Sequence, residues 1–411
     1  MVHVASELQR QGFETPLLIG GATTSKAHTA LKVDPAYDRI VAHVLDASRA
    51  VPAVGALMNP ATRESHGRDL ASEYERVRDR RADRVGPELI SLAEARRNSQ
   101  PAVPETAAVV APTAPGITIL DDTEIAELRT RIDWGPFFHA WELKGAYPAL
   151  LDDPEKGEEA RKLLADAEAM LDQFEADGTL KPRAVVGLFP ANRSGDDIIV
   201  WHDRAATTER ARLHTLRQQR KKPAGGANRA LSDYLCDVES GTVDTLGGFV
   251  VTAGHGLDTL VAKLEADHDD YQAILAKVVA DRLAEAFAER LHERVRTELW
   301  GYAPDERLDN DALIRMEYRG IRPAPGYPAC PDHTEKALLW ELLDAEAHTG
   351  VTLTESYAMA PAASVCGLYF AHPEARYFGL GPITREQSDD YAARKGVAPD
   401  EMASWLETHL V

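Results

Sequence analysis

The residues most suited to chemistry lie in one short stretch. Arg322-Pro323-Ala324-Pro325-Gly326-Tyr327-Pro328-Ala329-Cys330-Pro331 holds four prolines in ten residues. They fix the backbone and lower the entropic cost of presenting a binding surface. Arg322 can grip a carboxylate through two parallel hydrogen bonds, and Tyr327 can offer a ring face or a hydroxyl. A rigid surface loop with an ordinary arginine would account for the same residues. Just beyond, Asp332 is placed to cap a helix, with Glu335 three residues on to complete a capping box.

Three other groups could carry chemistry. Asp133, in Ile132-Asp133-Trp134-Gly135-Pro136-Phe137-Phe138, sits among apolar neighbours and needs a partner if it is buried: a ligand ammonium, a ribose hydroxyl or a structural hydrogen bond. Asp281 and Glu285 share a helix face with His292 and Arg296, and on spacing alone they read as a solvated face. Gly20-Gly21-Ala22-Thr23-Thr24-Ser25 lies where a strand meets a helix. There, glycines admit a ligand to the backbone and helix amides favour anions, although a plain tight turn also fits. Asp46-Ala47-Ser48-Arg49 ends the next strand on the same edge. The residues single out no catalytic group.

Composition narrows the classes. A net charge of -20 excludes a broad nucleic-acid footprint, and the one basic island, Arg204 to Lys222, could instead dock an acidic partner. Three distant cysteines form no C-x-x-C pair, so no disulfide framework or cysteine-based metal site is expected. With no signal-peptide core and no membrane-spanning stretch, the expectation is a cytoplasmic protein with no membrane partner.

The elements that must position these residues fall into two groups. Helix, strand (Thr15–Ile19), helix, strand (Ile40–Leu45) and helix give the alternation of a doubly wound, Rossmann-like parallel sheet. Two strands make it incomplete. A charged helix follows over 60–84, then a proline-rich linker through Pro101, Pro104, Pro112 and Pro115. The predicted domains are thus 1–83, a linker over 84–116, and 117–411. In the last, helices are expected at 121–131, 154–176, 207–221, 229–235, 257–300, 309–318 and 332–348. Strands are expected at Ala184–Phe189, Ile198–Trp201, Phe249–Thr252 and within Thr352–Ile383, ending in a hairpin. Strands grouped apart from helices make this an α+β domain with a mainly antiparallel sheet.

Several long stretches resemble cobalamin-dependent methionine synthase: PLLIGGATTSKAHTA from Pro16, IDWGPFF from Ile132, VVGLFPANR from Val185, HDDYQAILAKVVADRLAEAFAERLHERVR from His268 and GIRPAPGYPACPDHTEKALLWELL from Gly320. The resemblance implies a methyltransferase that moves a methyl group from methyltetrahydrofolate to homocysteine through cobalamin. It also implies a carboxy-terminal activation domain that restores oxidised cofactor, using a methyl from S-adenosylmethionine and an electron from a flavodoxin-like reductase. Arg322, Gly326 and Tyr327 match the family's R-x-x-x-G-Y signature for S-adenosylmethionine. Asp133, Tyr377 and Phe378 match other positions around that ligand, and Asp281 and Glu285 match acidic residues near it, which overrides the solvated-face reading. Gly20, Gly21 and Ala47 match the surroundings of the cobalamin nucleotide tail. The family's D-x-H-x-x-G motif, whose histidine holds cobalt, has no counterpart in the sequence. The expectation is therefore an activation domain behind a partial cobalamin-binding domain. It would depend on the remaining synthase modules, in cis or in trans, and would not make methionine alone. The rival expectation is a free-standing S-adenosylmethionine-binding or docking module without catalysis of its own.

Overall fold

The computed structural model describes residues 1–20, 25–44, 47–82, 88–99 and 109–411. The chain divides into two compact units, Met1–Glu88 and Leu89–Val411.

In the first unit, strands β1 (Leu17–Gly20) and β2 (Val41–Val44) pair in parallel, Leu17 opposite Val41. Helix Val2–Arg10 precedes β1, and helices Ala47–Met58 and Pro60–Ala82 follow β2. A small core of Ala5, Ile19, Val33, Tyr37 and Val41 joins helix to strand. This is the expected alternation. Gly21 and Asp46 lie outside the described residues, as do Pro101 and Pro104 of the predicted linker.

The second unit is built on an antiparallel sheet with path β10-β7-β4-β5-β6, and β3 also paired to β4. The strands are β3 Gly116–Leu120, β4 Arg183–Ser194, β5 Asp197–Trp201, β6 Glu209–His214, β7 Asp244–Thr252 and β10 Ser364–Tyr369. A two-stranded piece, β8 Thr352–Leu353 with β9 Met359–Ala360, stands apart from it. Alternation along the strands divides the core between the two faces of the sheet. On β4, Ala184, Val186 and Leu188 face one side, while Val185, Phe189 and Ala191 face the other. On the first side lies the long helix Asp270–Arg294, started by Asp269, whose side chain accepts from Gln272 N. Its buried positions are largely alanine, which lets its backbone approach the sheet closely. Helix Glu335–Leu343 packs its Leu339, Leu342 and Leu343 on the second side.

Several expectations give way here. The predicted helix over 207–221 contains strand β6 instead, because Ala211 and Leu213 turn to the core while Arg212 between them turns away, a period of two. The predicted helix over 229–235 is a 3-10 turn, Leu231–Tyr234. The helix expected over 257–300 is two helices, parted where His268 takes φ 59°. Within Thr352–Ile383 only β10 joins the main sheet, and the chain closes on helices Arg385–Lys395 and Pro399–Trp405 rather than a hairpin. Segment 89–99, read as linker, contains helix Leu92–Arg97. Arg96 ties that helix to Asp196 and Asp390 at 2.7 Å each.

The basic island is only partly a cationic surface: Arg220 and Lys221 are exposed, while other members are tied into the fold. Arg217 is 2% exposed and ion-paired to Asp196 and Asp233, each at 2.7 Å. Arg212 pairs with Glu209, and Arg210 lies over the Phe189 ring. These arginines hold the fold and do not form a free cationic face. The three cysteines form no disulfide and are buried. Among the described residues no helix is long and apolar enough to cross a membrane, and no three His, Cys, Asp or Glu side chains form a possible metal cluster.

Candidate functional site

Strand β10 ends the sheet path, and the proline loop covers its outer side. Ile321 bridges Phe370, and Pro323 O accepts from Leu368 N at 2.8 Å. An open edge would invite pairing with another chain; here the edge seats the loop. The loop folds on itself through Gly326 N to Cys330 O at 2.7 Å and Cys330 N to Tyr327 O at 2.9 Å. Gly326 takes φ +93°, and a Cβ there would lie 2.3 Å from His333 Cε1, so only glycine fits. A second loop, Tyr377–Leu380, is tied on by Leu380 N to Pro328 O at 2.7 Å.

The expected capping box is absent. Asp332 accepts from Thr334 N and Oγ1, and the helix begins at Glu335 behind Thr334, which makes no side-chain cap. Asp332 and Glu335 instead close on Lys395 of helix Arg385–Lys395, at 2.7 and 2.5 Å. A buried ammonium between two carboxylates thus fixes the far end of the proline loop.

Between these loops and the sheet lies a cavity of about 500 Å³, lined by Phe249, Glu285, Arg322, Pro323, Ala324, Tyr327, Pro328, Ala329, Val365, Cys366, Tyr377, Phe378 and Gly379. A second of about 420 Å³ shares Arg322 and Glu285 with it and adds Arg131, Asp133, Arg282, Glu289, Ile314 and Met316. The two form one groove, largely apolar at one end and charged at the other. Burial pushes the Cys366 thiol up to about 12, so it lines the apolar end as a neutral group. Such a groove suits an elongated ligand with an aromatic portion and an ionic end.

The structure brings most of the residues singled out in the sequence to these two cavities. Arg322, Tyr327, Tyr377 and Phe378 line the larger cavity, Asp133 the smaller, and Glu285 both. Gly326 lines neither and acts through the turn. Asp281 lies one turn before Glu285 on the long helix and is exposed. Asp133 resolves its open alternatives structurally in part: Oδ1 accepts from Gly135 N at 2.9 Å and caps helix Trp134–Ala140.

Arg322 is already engaged by the protein's own groups. Its Nη2 lies 2.8 Å from Glu289 Oε2, and Nη1 donates to Tyr318 Oη at 3.1 Å and to His292 Nδ1 at 3.3 Å. Behind Glu289, Arg296 Nη1 is 3.9 Å from Oε1, and Arg296 Nη2 is 2.7 Å from Glu306. The charges alternate Glu306, Arg296, Glu289, Arg322, and the last positive charge borders the groove. Burial, then Arg296 and Arg322, hold the His292 imidazole well below its ordinary value and therefore neutral. Glu289 was missed in the sequence, and its signal was spacing: Glu285, Glu289, His292 and Arg296 form one helical stripe. Read as solvated, that face is buried from Glu289 onward.

In the first unit, a Cβ on Gly20 would meet Val44 Cγ2 at 2.9 Å, so strand packing already accounts for this glycine. Ala47 opens helix Ala47–Met58, and its side chain lies outside the described residues. No described residue of this unit gives an independent fit to cobalamin.

An α+β domain with an amphipathic groove at its sheet edge defines a small-molecule-binding module. The family model described as vitamin B12 dependent methionine synthase, activation domain, matches residues 124–396. A solved structure described as the MetH reactivation domain bound to AdoHcy is 50% identical. The match covers 78% of this chain and 98% of that one, with a TM-score of 0.77. The chain belongs to the family of B12-dependent methionine synthase activation domains.

Proposed function

We propose that the groove binds S-adenosylmethionine and presents its methyl group for reductive methylation of cobalamin, the reaction that returns methionine synthase to its active state. The observation that carries this reading is the groove itself: two adjoining cavities meeting at Arg322 and Glu285, in a chain 50% identical to a reactivation domain solved with AdoHcy. Arg322 would take the carboxylate of the ligand's methionyl end. The apolar end, with Phe249, Phe378 and the ring of Tyr327, would take the adenosyl part. Asp133 and Glu285 would meet its ammonium or ribose hydroxyls, with Asp281 nearby and Gly326 holding the turn.

When the methyl leaves, the C–S electron pair stays on sulfur and a sulfonium becomes a neutral thioether. Cobalamin enters as the methyl acceptor, a substrate of this domain; Gly20, Gly21 and Ala47 are proposed to lie near its nucleotide tail. The protein's work is mainly positioning and exclusion of water. Family membership also implies the other synthase modules as partners and, more finely, a flavodoxin-like reductase. Its docking face would have to lie elsewhere than at buried Arg217.

Calorimetry with S-adenosylmethionine and S-adenosylhomocysteine tests the reading. Arg322→Ala should cost about 2–4 kcal/mol of binding, and Arg322→Lys should restore only part, because an ammonium cannot reproduce the planar fork. Normal affinity in Arg322→Ala would refute the assignment.

A further inference from the structure

Behind Arg322 and Tyr377 stands a residue that neither cavity exposes. Tyr318 is 9% exposed. Its hydroxyl accepts from Arg322 Nη1 at 3.1 Å. The Tyr377 hydroxyl in turn accepts from the backbone N–H of Arg322 at 3.0 Å. The Tyr318 ring is wedged in place. His292 meets it edge-on at 4.9 Å between centroids, and the Arg296 guanidinium lies over it at 4.3 Å.

The directions of the protons follow from chemistry. A guanidinium and a backbone N–H can only donate. Tyr318 oxygen therefore accepts from the Arg322 side chain, and Tyr377 oxygen, at the cavity it lines, accepts from the Arg322 amide. Glu289 and neutral His292 consume N–H groups on the inner side of Arg322. What the Arg322 guanidinium offers the groove is therefore donors alone, matched to an anionic acceptor and opposed to an ammonium.

We infer that Tyr318, through its hydroxyl, is a positioning residue that sets the Arg322 guanidinium, whose backbone is held by Tyr377, as a donor-only edge for the ligand's carboxylate. This rests on the S-adenosylmethionine reading above. Its sequence signal is slight, a tyrosine four residues before the arginine, and only the fold brings its hydroxyl to the guanidinium.

The test is calorimetry with two probes, S-adenosylhomocysteine and 5′-methylthioadenosine, which keeps the nucleoside and thioether but lacks the amino-acid end. Tyr318→Phe keeps the wedged ring and should weaken S-adenosylhomocysteine about tenfold while leaving methylthioadenosine unchanged. The double variant Tyr318→Phe/Arg322→Ala should bind S-adenosylhomocysteine no more weakly than Arg322→Ala, since the tyrosine acts through the arginine. Equal weakening of both probes would make Tyr318 merely structural and overturn the inference. So would wild-type affinity in Tyr318→Phe while Arg322→Ala loses binding, an outcome that leaves the parent reading intact. A wild type that binds neither probe removes both. Should Tyr318→Phe fail to fold, Tyr377→Phe tests the same edge, and it must discriminate between the probes for the inference to survive.

Discussion

Arg322→Ala should destabilise the protein with no ligand present, and the amount can be reasoned from the pair it breaks. The Arg322 and Glu289 side chains are 20% and 11% exposed, and their charged atoms approach to 2.8 Å. Removing one partner of a buried pair costs about 3–5 kcal/mol, because the other is stranded without water. Two features reduce this. Glu289 keeps Arg296 at 3.9 Å, and Arg322 retains some solvent contact. The expected cost is therefore about 2–3 kcal/mol, or roughly 4–6 °C of melting temperature in a unit of this size. Thermal melts at neutral pH of the wild type, Arg322→Ala, Glu289→Gln and the double variant form a cycle. The double variant should recover part of the loss, since it buries no unpaired charge. A single variant melting within about a degree of wild type, or strictly additive losses, would refute the coupling.

The neutral His292 gives a pH dependence. Its folded pKa lies below the unfolded value, so its contribution is complete above about pH 6.5 and lost as pH falls below that, where the unfolded chain takes up the proton. The melting temperature of the wild type should therefore drop more between pH 7 and 5 than that of His292→Asn. Gly326→Ala should cost about 1–3 kcal/mol through its φ of +93° and the clash with His333, and adding His333→Ala should relieve only the clash, as denaturant melts would resolve. Arg217→Ala should cost about 3–5 kcal/mol in denaturant melts, by stranding Asp196 and Asp233, which a solvated docking arginine would not do.

The parts of the fold legible in sequence were those with a strong local pattern. The β4 and β7 strands show as short apolar runs, buried along almost their whole length, and the long helix carries its alanines at helical spacing. Strand β6 was hidden because its outward positions are long arginines, which helices also favour, and only pairing with β5 decides. The groove residues were legible as types, since the arginine, tyrosines and carboxylates stood in distinctive contexts. Their partners were not. Glu289 reaches Arg322 across 33 positions, a contact that its place in the helical stripe does not reveal, and Tyr318 shows its role only through its bond to the Arg322 side chain. Charge counting likewise took Arg217 for surface, because burial of a cation depends on where Asp196 and Asp233 arrive.

The clasp of Asp332 and Glu335 on Lys395 sets an order of events during synthesis. The lysine lies 63 residues beyond the aspartate it holds, past β10 and the Tyr377 loop. While translation proceeds, Asp332 and Glu335 emerge as two adjacent negative charges with no cation to meet, and Tyr391, which also donates to Asp332 at 2.9 Å, is still unmade. The proline loop therefore reaches its final form among the last pieces of the domain, after the sheet has already assembled. A nascent chain stalled before Lys395 would carry the whole sheet and every groove residue named above, yet would be unable to lock the loop that makes the groove a binding site.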